Sequence, residues 1–169
     1  MDLKIQKESP EYYQAIHDIL ISCFKSDAEA KLVSALREND KAVLALVALH
    51  EGEVVGHVMF SPVTTSPLTN ALGLGLAPLA VKPAFQRQGI GRKLVQEGLL
   101  LCKEMNFDYV VLLGDPKYYQ RFGFIKASDL GIKNEYGVDE PFILIQFNNN
   151  VPLPNSLVRY CDEFSLFSV

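Results

Sequence analysis

The stretch from Ala71 to Leu113 constrains the fold more than any other. Ala71–Val81 is an apolar run that ends in the turn Gln86-Arg-Gln-Gly-Ile-Gly91. A segment of helical period follows, and Tyr109–Leu113 is apolar again. Gly91, Leu94, Val95, Gly98, Leu99, Cys102 and Met105 share one helical face, while Arg92, Lys93, Gln96, Glu97, Lys103 and Glu104 share the other, so the helix packs on a sheet. Strand, helix and strand of this length make a right-handed crossover, and the two strands run parallel. Gly73, Gly75 and Pro78 weaken the ladder of the first strand, which predicts a bulge or a parting from a neighbour.

The turn suits an anion. N–H groups in the first turn of a helix lack internal partners, and the peptide dipoles place partial positive charge there. Gly89 and Gly91 let a ligand touch the backbone. Lys82, Arg87, Arg92 and Lys93 concentrate positive charge in a chain whose net charge is −4. A polyphosphate ligand is expected. The acidic balance excludes a general nucleic-acid surface, which needs basic residues over a whole face.

At 169 residues and 49% hydrophobic content the chain has the size of one compact domain. Cys23, Cys102 and Cys161 are odd in number and widely spaced, so neither a disulfide framework nor a zinc site is supported and no metal is expected. The N-terminus has charges where a signal peptide needs an apolar core, and no apolar run approaches the ~20 residues that span a bilayer. A cytoplasmic protein without membrane or nucleic-acid partners is expected, as a monomer or homodimer.

The remaining elements follow from periodicity. Leu3 and Ile5 alternate with Lys4 and Gln6 as in a half-buried strand. Ser9-Pro10-Glu11 reads as a helix start, with a helix through about Phe24. Ser26 or Asp27 caps a second helix carrying Leu32, Val33 and Leu36 on its apolar side. Ala42–Leu49 and Val54–Val63 are continuous apolar runs joined by a short Gly-containing turn, a hairpin covered on both faces. Residues 64–70 read as a loop. Asp115 caps a short helix with Pro116 at its first position, ended by Gly123. Phe124–Ala127 and Phe142–Phe147 read as the last strands. The tail after Asn150 contains Pro152 and Pro154, then Leu157, Tyr160, Phe164 and Phe167, and is too apolar to be free.

Three phosphate motifs compete for the turn. A Walker loop needs Gly-Lys-Ser/Thr, which Gly91-Arg-Lys-Leu94 does not supply, and a dinucleotide fingerprint needs a small residue where Leu94 stands. The third fits: Gln86-Arg-Gln-Gly-Ile-Gly91 resembles the Gln/Arg-x-x-Gly-x-Gly/Ala turn of the GNAT superfamily of acetyl-CoA-dependent N-acyltransferases. Tyr118-Tyr-Gln-Arg-Phe-Gly-Phe124 resembles that family's second signature, and the phrase around it is similar to a little-characterised bacterial subgroup of predicted acetyltransferases. The resemblance covers residues 1–147 as a GNAT domain, with residues 148–169 as an extension packed on the domain or on a partner. It implies an α/β fold: a mixed, mostly antiparallel twisted sheet flanked by helices, with a parallel strand pair splayed around acetyl-CoA.

The resemblance also implies roles. Main-chain N–H groups of Gln86, Arg87, Gln88, Gly89, Ile90, Gly91 and Arg92 would cradle the CoA pyrophosphate. The strand Leu79, Ala80, Val81 would pair its backbone with the pantetheine arm and polarise the acetyl carbonyl, a form of oxyanion stabilisation. Tyr119 stands where the family commonly has a tyrosine near the thioester sulfur, and would be the general acid. Many members hold the pantetheine amide with an asparagine at the position that is Leu113 here.

The general base is not fixed by the sequence. His57 lies in a strand beside the CoA-bearing one, where a structural histidine is the commoner finding. Asp115 reads first as a helix cap, and Glu29 as a solvated residue that could line an acceptor site. Ser61 has no His-Asp pair to activate it, and Cys102 lies on a buried helix face, so direct transfer to an amine is preferred to an acyl-enzyme. The expected activity is acetyl transfer from acetyl-CoA to a primary amine of a small molecule or protein. An acyl-CoA sensor without catalysis, or a subunit whose tail docks a partner, stay open.

Overall fold

The computed structural model describes residues 1–153 and 155–169; Pro154, counted above in the tail, lies outside the described residues. The chain begins with strand β1 (Leu3–Lys7), helices α1 (Tyr13–Cys23) and α2 (Ala28–Glu38), and the hairpin β2 (Leu44–His50) and β3 (Glu53–Pro62). A short β4 (Thr64–Ser66) precedes β5 (Gly73–Val81), α3 (Ile90–Glu104), β6 (Tyr109–Leu113) and α4 (Pro116–Tyr119). The last elements are β7 (Ile125–Lys126), β8 (Ile132–Asn134), β9 (Phe142–Gln146), β10 (Ser156–Arg159) and α5 (Asp162–Leu166).

Seven strands form one mixed sheet in the order β1-β2-β3-β5-β6-β9-β7. Every neighbouring pair is antiparallel except β5 and β6, which the α3 crossover makes parallel. The unbroken apolar character of β2 and β3 is explained by two cores. On one face Val47, Met59, Ala80 and Val111 meet α1 and α2. On the other, Leu46, Val58, Phe60, Leu74 and Val110 meet Ile90, Leu94 and Cys102 of α3. α3 lies close to the sheet because Gly56 and Gly98 have no side chain: a Cβ on Gly98 would stand 2.6 Å from the Phe60 ring.

Two local readings are corrected. Pro10–Tyr12 is a 3-10 turn rather than the first turn of α1, and the Ser9 hydroxyl donates to Glu11 instead of capping a helix. Residues 64–66, expected in a loop, form β4 of a second, three-stranded sheet ordered β4-β10-β8. β10 is its centre, antiparallel to β4 and parallel to β8. Tyr160 and Phe164, which follow it, are buried at 7% and 3% exposure. Glu163 of α5 is tied to α2's end by Lys41 at 2.9 Å and Asn39 at 2.7 Å. No helix among the described residues is long and apolar enough to cross a membrane.

Candidate active site

The phosphate-type turn is held in shape by its own backbone. After a 3-10 turn at Pro83–Phe85, Arg87 takes φ +64° and Gly89 φ +86°, so the chain doubles back and launches α3. No side chain caps α3. Among the described residues, the N–H groups of Arg87 to Arg92 have no protein acceptor, and the first bond of the helix runs from Lys93 N–H to the Gly89 carbonyl. The Gln86 amide donates to the Val81 carbonyl at 3.0 Å and ties the turn to the end of β5. The side chains of Arg87, Gln88 and Arg92 are exposed, whereas that of Ile90 is buried under the sheet at 1% exposure. Only the backbone of Ile90 is therefore free to meet a ligand. Lys82 is engaged by Glu53. Arg87, Arg92 and Lys93 form no ion pair among the described residues, which leaves three cations beside six free N–H groups. The two glycines differ: Gly89 supplies the left-handed φ, while Gly91 is helical and a Cβ there would meet only Val81 Cγ2 at 3.7 Å.

Beside this turn the sheet opens. β5 and β6 pair only at Gly73↔Tyr109, Leu74↔Val110 and Gly75↔Val111. Beyond Gly75, β5 follows β3 alone and β6 follows β9 alone. The register of β3 against β5 shifts between Val58 and Phe60, so that Ala77 and Pro78 bulge against Met59. Both outcomes anticipated from Gly73, Gly75 and Pro78 thus occur, and the β6-facing backbone edge of Leu76–Val81, including Leu79, Ala80 and Val81, lines a gap. An added strand-like group can pair there.

Tyr119 stands beside Gly114, the residue after the end of β6. Its ring packs edge-on against Phe124 (5.8 Å) and Tyr118 (5.0 Å) and lies against Gly114, where a Cβ would be 2.7 Å away. Burial, reinforced by Tyr118, pushes its hydroxyl up to about 12, so it carries its proton at neutral pH. Asp115 accepts from the Lys117 N–H at 3.0 Å and caps α4.

His57 is the register partner of Ala80 across the β3–β5 ladder. It is completely buried on the α1–α2 face, with Nε2 2.9 Å from Glu8 Oε1. Glu8 also accepts two hydrogen bonds from Arg37, each at 2.9 Å. Burial alone would raise the Glu8 carboxyl, but the bonds from His57 and Arg37 and the nearby positive charge hold it at about 2. Burial outweighs Glu8 in lowering His57, which is therefore neutral; its Nε2–H donates to the carboxylate and Nδ1 is left without a partner. Burial likewise pushes the Cys102 thiol up to about 12, which removes thiolate character.

One part of the site went unread in the sequence. Where the strands part, a cavity of about 230 Å³ is lined by Ala77, Tyr160, Phe164 and Val169 of the face opposite α3, by Leu76 of the α3 face, and by Leu113 and Tyr136. Its walls come from four distant segments, and the only sequence signal was the apolar character of the tail.

The chain is similar to known proteins. Residues 13–124 match the Acetyltransferase (GNAT) family. The chain is similar to the uncharacterized N-acetyltransferase YhbS of Escherichia coli K12, 39% identical over 166 residues that cover 96% of this chain and 99% of the relative. A crystal structure of Escherichia coli YhbS in complex with CoA superposes with a TM-score of 0.87 at 38% identity, covering 96% of this chain and 92% of that one. A GNAT family acetyltransferase from Brucella melitensis in complex with acetyl-CoA gives 0.82 at 33% identity, covering 96% and 98%. With an uncapped glycine turn, a parallel pair that parts after three residues, and these matches over nearly its whole length, the chain belongs to the acetyltransferase (GNAT) family, transferases of acyl groups other than aminoacyl groups.

Proposed function

We propose that the protein transfers an acetyl group from acetyl-CoA to a primary amine by direct attack. The observation that carries this reading is the meeting of two unsatisfied backbone features: the free N–H groups of Arg87–Arg92 and the gap edge of Leu76–Val81. A pyrophosphate on the first and an amide-bearing arm along the second are satisfied at once, and the arm ends beside Tyr119. The bound CoA of the YhbS crystal structure and the acetyl-CoA of the Brucella protein support this choice of donor.

In this reading Gln86–Arg92 hold the pyrophosphate, and Leu79–Val81 fix the pantetheine and present an N–H to the acetyl oxygen. The amine nitrogen bonds to the carbonyl carbon, the C–S bond breaks, and the thiolate takes the proton of Tyr119 O–H. The proton lost by the amine passes to water, which reprotonates Tyr119. We assign the base role neither to His57, whose imidazole is sealed against Glu8, nor to Asp115, whose carboxylate caps α4. Substituting Tyr119→Phe is expected to lower kcat roughly 100-fold, as for loss of a general acid. The KM for acetyl-CoA is expected to stay within a few fold. A CoA-release assay over a panel of amines checks both; unchanged kcat would sink the role of Tyr119, and no release with any amine would sink catalysis.

A further inference from the structure

Resting on the acetyl-transfer reading above, we propose that the cavity between Leu113, Tyr136, Tyr160 and Phe164 seats the body of the acceptor. The acceptor is then a small aryl- or branched-alkyl amine rather than a polyamine.

Position is the first argument. Leu76 and Ala77 follow directly on Gly75, the last residue of β5 paired with β6, and Leu113 lies two residues past Val111. The cavity therefore opens at the gap. α3 and its turn lie on one face of the sheet with Leu74 and Val110, while Ala77, Tyr160 and Phe164 belong to the opposite face. A donor arriving from the turn and an acceptor seated in the cavity meet in the gap from opposite sides, which leaves the amine's line of approach clear.

The walls give the chemistry. Tyr160 and Phe164 have ring centroids 5.2 Å apart, and Tyr136 and Tyr160 6.0 Å. The Tyr160 ring lies so close to Gly75 that a Cβ there would be 2.5 Å from it, so this wall is fixed by the strand itself. The carboxylates adjacent in sequence to lining residues are engaged elsewhere: Glu135 accepts the Tyr160 N–H at 3.0 Å and stands 3.7 Å from Arg159, and Glu163 holds Lys41 and Asn39. The lining holds no carboxylate side chain, so a second ammonium, as in a polyamine, would be buried here against rings and aliphatic side chains without a side-chain counter-charge. The volume of about 230 Å³ falls below the ~300–1,000 Å³ of sites for drug-sized ligands, and suits one ring or a short branched chain.

The same walls address the missing base. An amine carried into apolar, water-poor surroundings loses solvation of its charged form, so the neutral nucleophile is favoured. A seat that strips water from the amine lightens the task of a carboxylate.

Calorimetric titration of the CoA-saturated protein with benzylamine, isoamylamine, ethanolamine and spermidine tests the assignment. Benzylamine and isoamylamine are expected to bind at least ~10-fold more tightly than the two polar amines, the size of effect a hydrophobic pocket supplies. Tyr136→Ala, at a rim position 37% exposed, is expected to erase most of that preference with CoA affinity unchanged, and Leu113→Asp to erase it whatever its effect on CoA affinity. Equal or tighter binding of the polar amines, no binding of the apolar ones, or a preference that survives both substitutions would overturn the inference. So would a Tyr136→Ala change confined to hexanoyl-CoA, which would give the cavity to the donor's acyl chain. Wild-type CoA release from acetyl-CoA is read alongside. Apolar amines that bind without release remove the acetyl-transfer reading and leave the cavity assigned, whereas release with polar amines alone does the reverse.

Discussion

Gly89 and Gly91 share a motif, yet they answer to different physics. Gly89 needs its left-handed φ, and a side chain there would have open space but a strained backbone. Gly89→Ala is expected to destabilise the protein by about 1–2 kcal/mol in chemical denaturation. Gly91 sits in α3 with room for a methyl, so Gly91→Ala is expected to leave stability unchanged or raised by up to ~1 kcal/mol. If the backbone at Gly91 faces the pyrophosphate, CoA affinity nevertheless falls, which calorimetry reads directly; unaltered affinity in Gly91→Ala would move the ligand off that residue. His57 permits a separate test. Its buried form stays neutral below its ordinary value of 6.5 while the unfolded chain gains a proton there, so stability drops as pH falls through about 6.5. Glu8, held near 2 against 4.5, adds a loss of the same sign between those values. His57→Gln, which can still donate to Glu8, is expected to reduce the slope of stability against pH below 6.5, by at most one proton. That is about 1.4 kcal/mol per pH unit at most, and an unchanged slope would mean that His57 titrates normally.

Elements with a strong internal signal were legible in the sequence. α3 announced itself by a one-sided apolar face and the glycines before it, β6 by its isolation between Asp108 and Gly114, and α4 by the Asp115-Pro116 pair. The gap was anticipated because glycine and proline weaken a ladder wherever they fall. β4, β8 and β10 gave no such signal: they are three or four residues long, and pairing across distant segments creates them. The cavity was illegible for the same reason, since Leu113, Tyr136 and Phe164 meet only once that second sheet exists. His57 shows the converse, for its strand was readable but its partner Glu8, 49 residues away, was not. The anchoring of α5 gives a test. Glu163 is buried and holds both Lys41 and Asn39, so Glu163→Ala is expected to cost about 1–3 kcal/mol through the lost ion pair and the orphaned amide. Thermal unfolding with limited proteolysis near residue 160 reads it; unaltered stability would show that the rings alone hold the C-terminal segment.

The seven-stranded sheet is mechanically two sheets, β1-β2-β3-β5 and β6-β9-β7, joined by three residue pairs and by the α3 crossover. A seam that short leaves backbone groups on both lips to water, and native opening follows the weakest ladder. A ligand that pairs along β5 and anchors at the α3 turn therefore adds to the structure what the sequence withheld from it. CoA at 100 times its Kd is expected to stabilise the fold by about 2.7 kcal/mol, roughly 5–10 °C in Tm for a chain of this size. The location of that gain distinguishes this arrangement from a ligand held on the outer surface. Hydrogen exchange is expected to slow at Leu76–Val81, Arg87–Arg92 and the end of β6, and to stay unchanged at β1 and β2, whose ladder is already complete. Protection confined to the α3 turn would mean that the phosphates bind while the arm does not enter the gap. The donor would then be held away from Tyr119 and from the aromatic cavity on the opposite face.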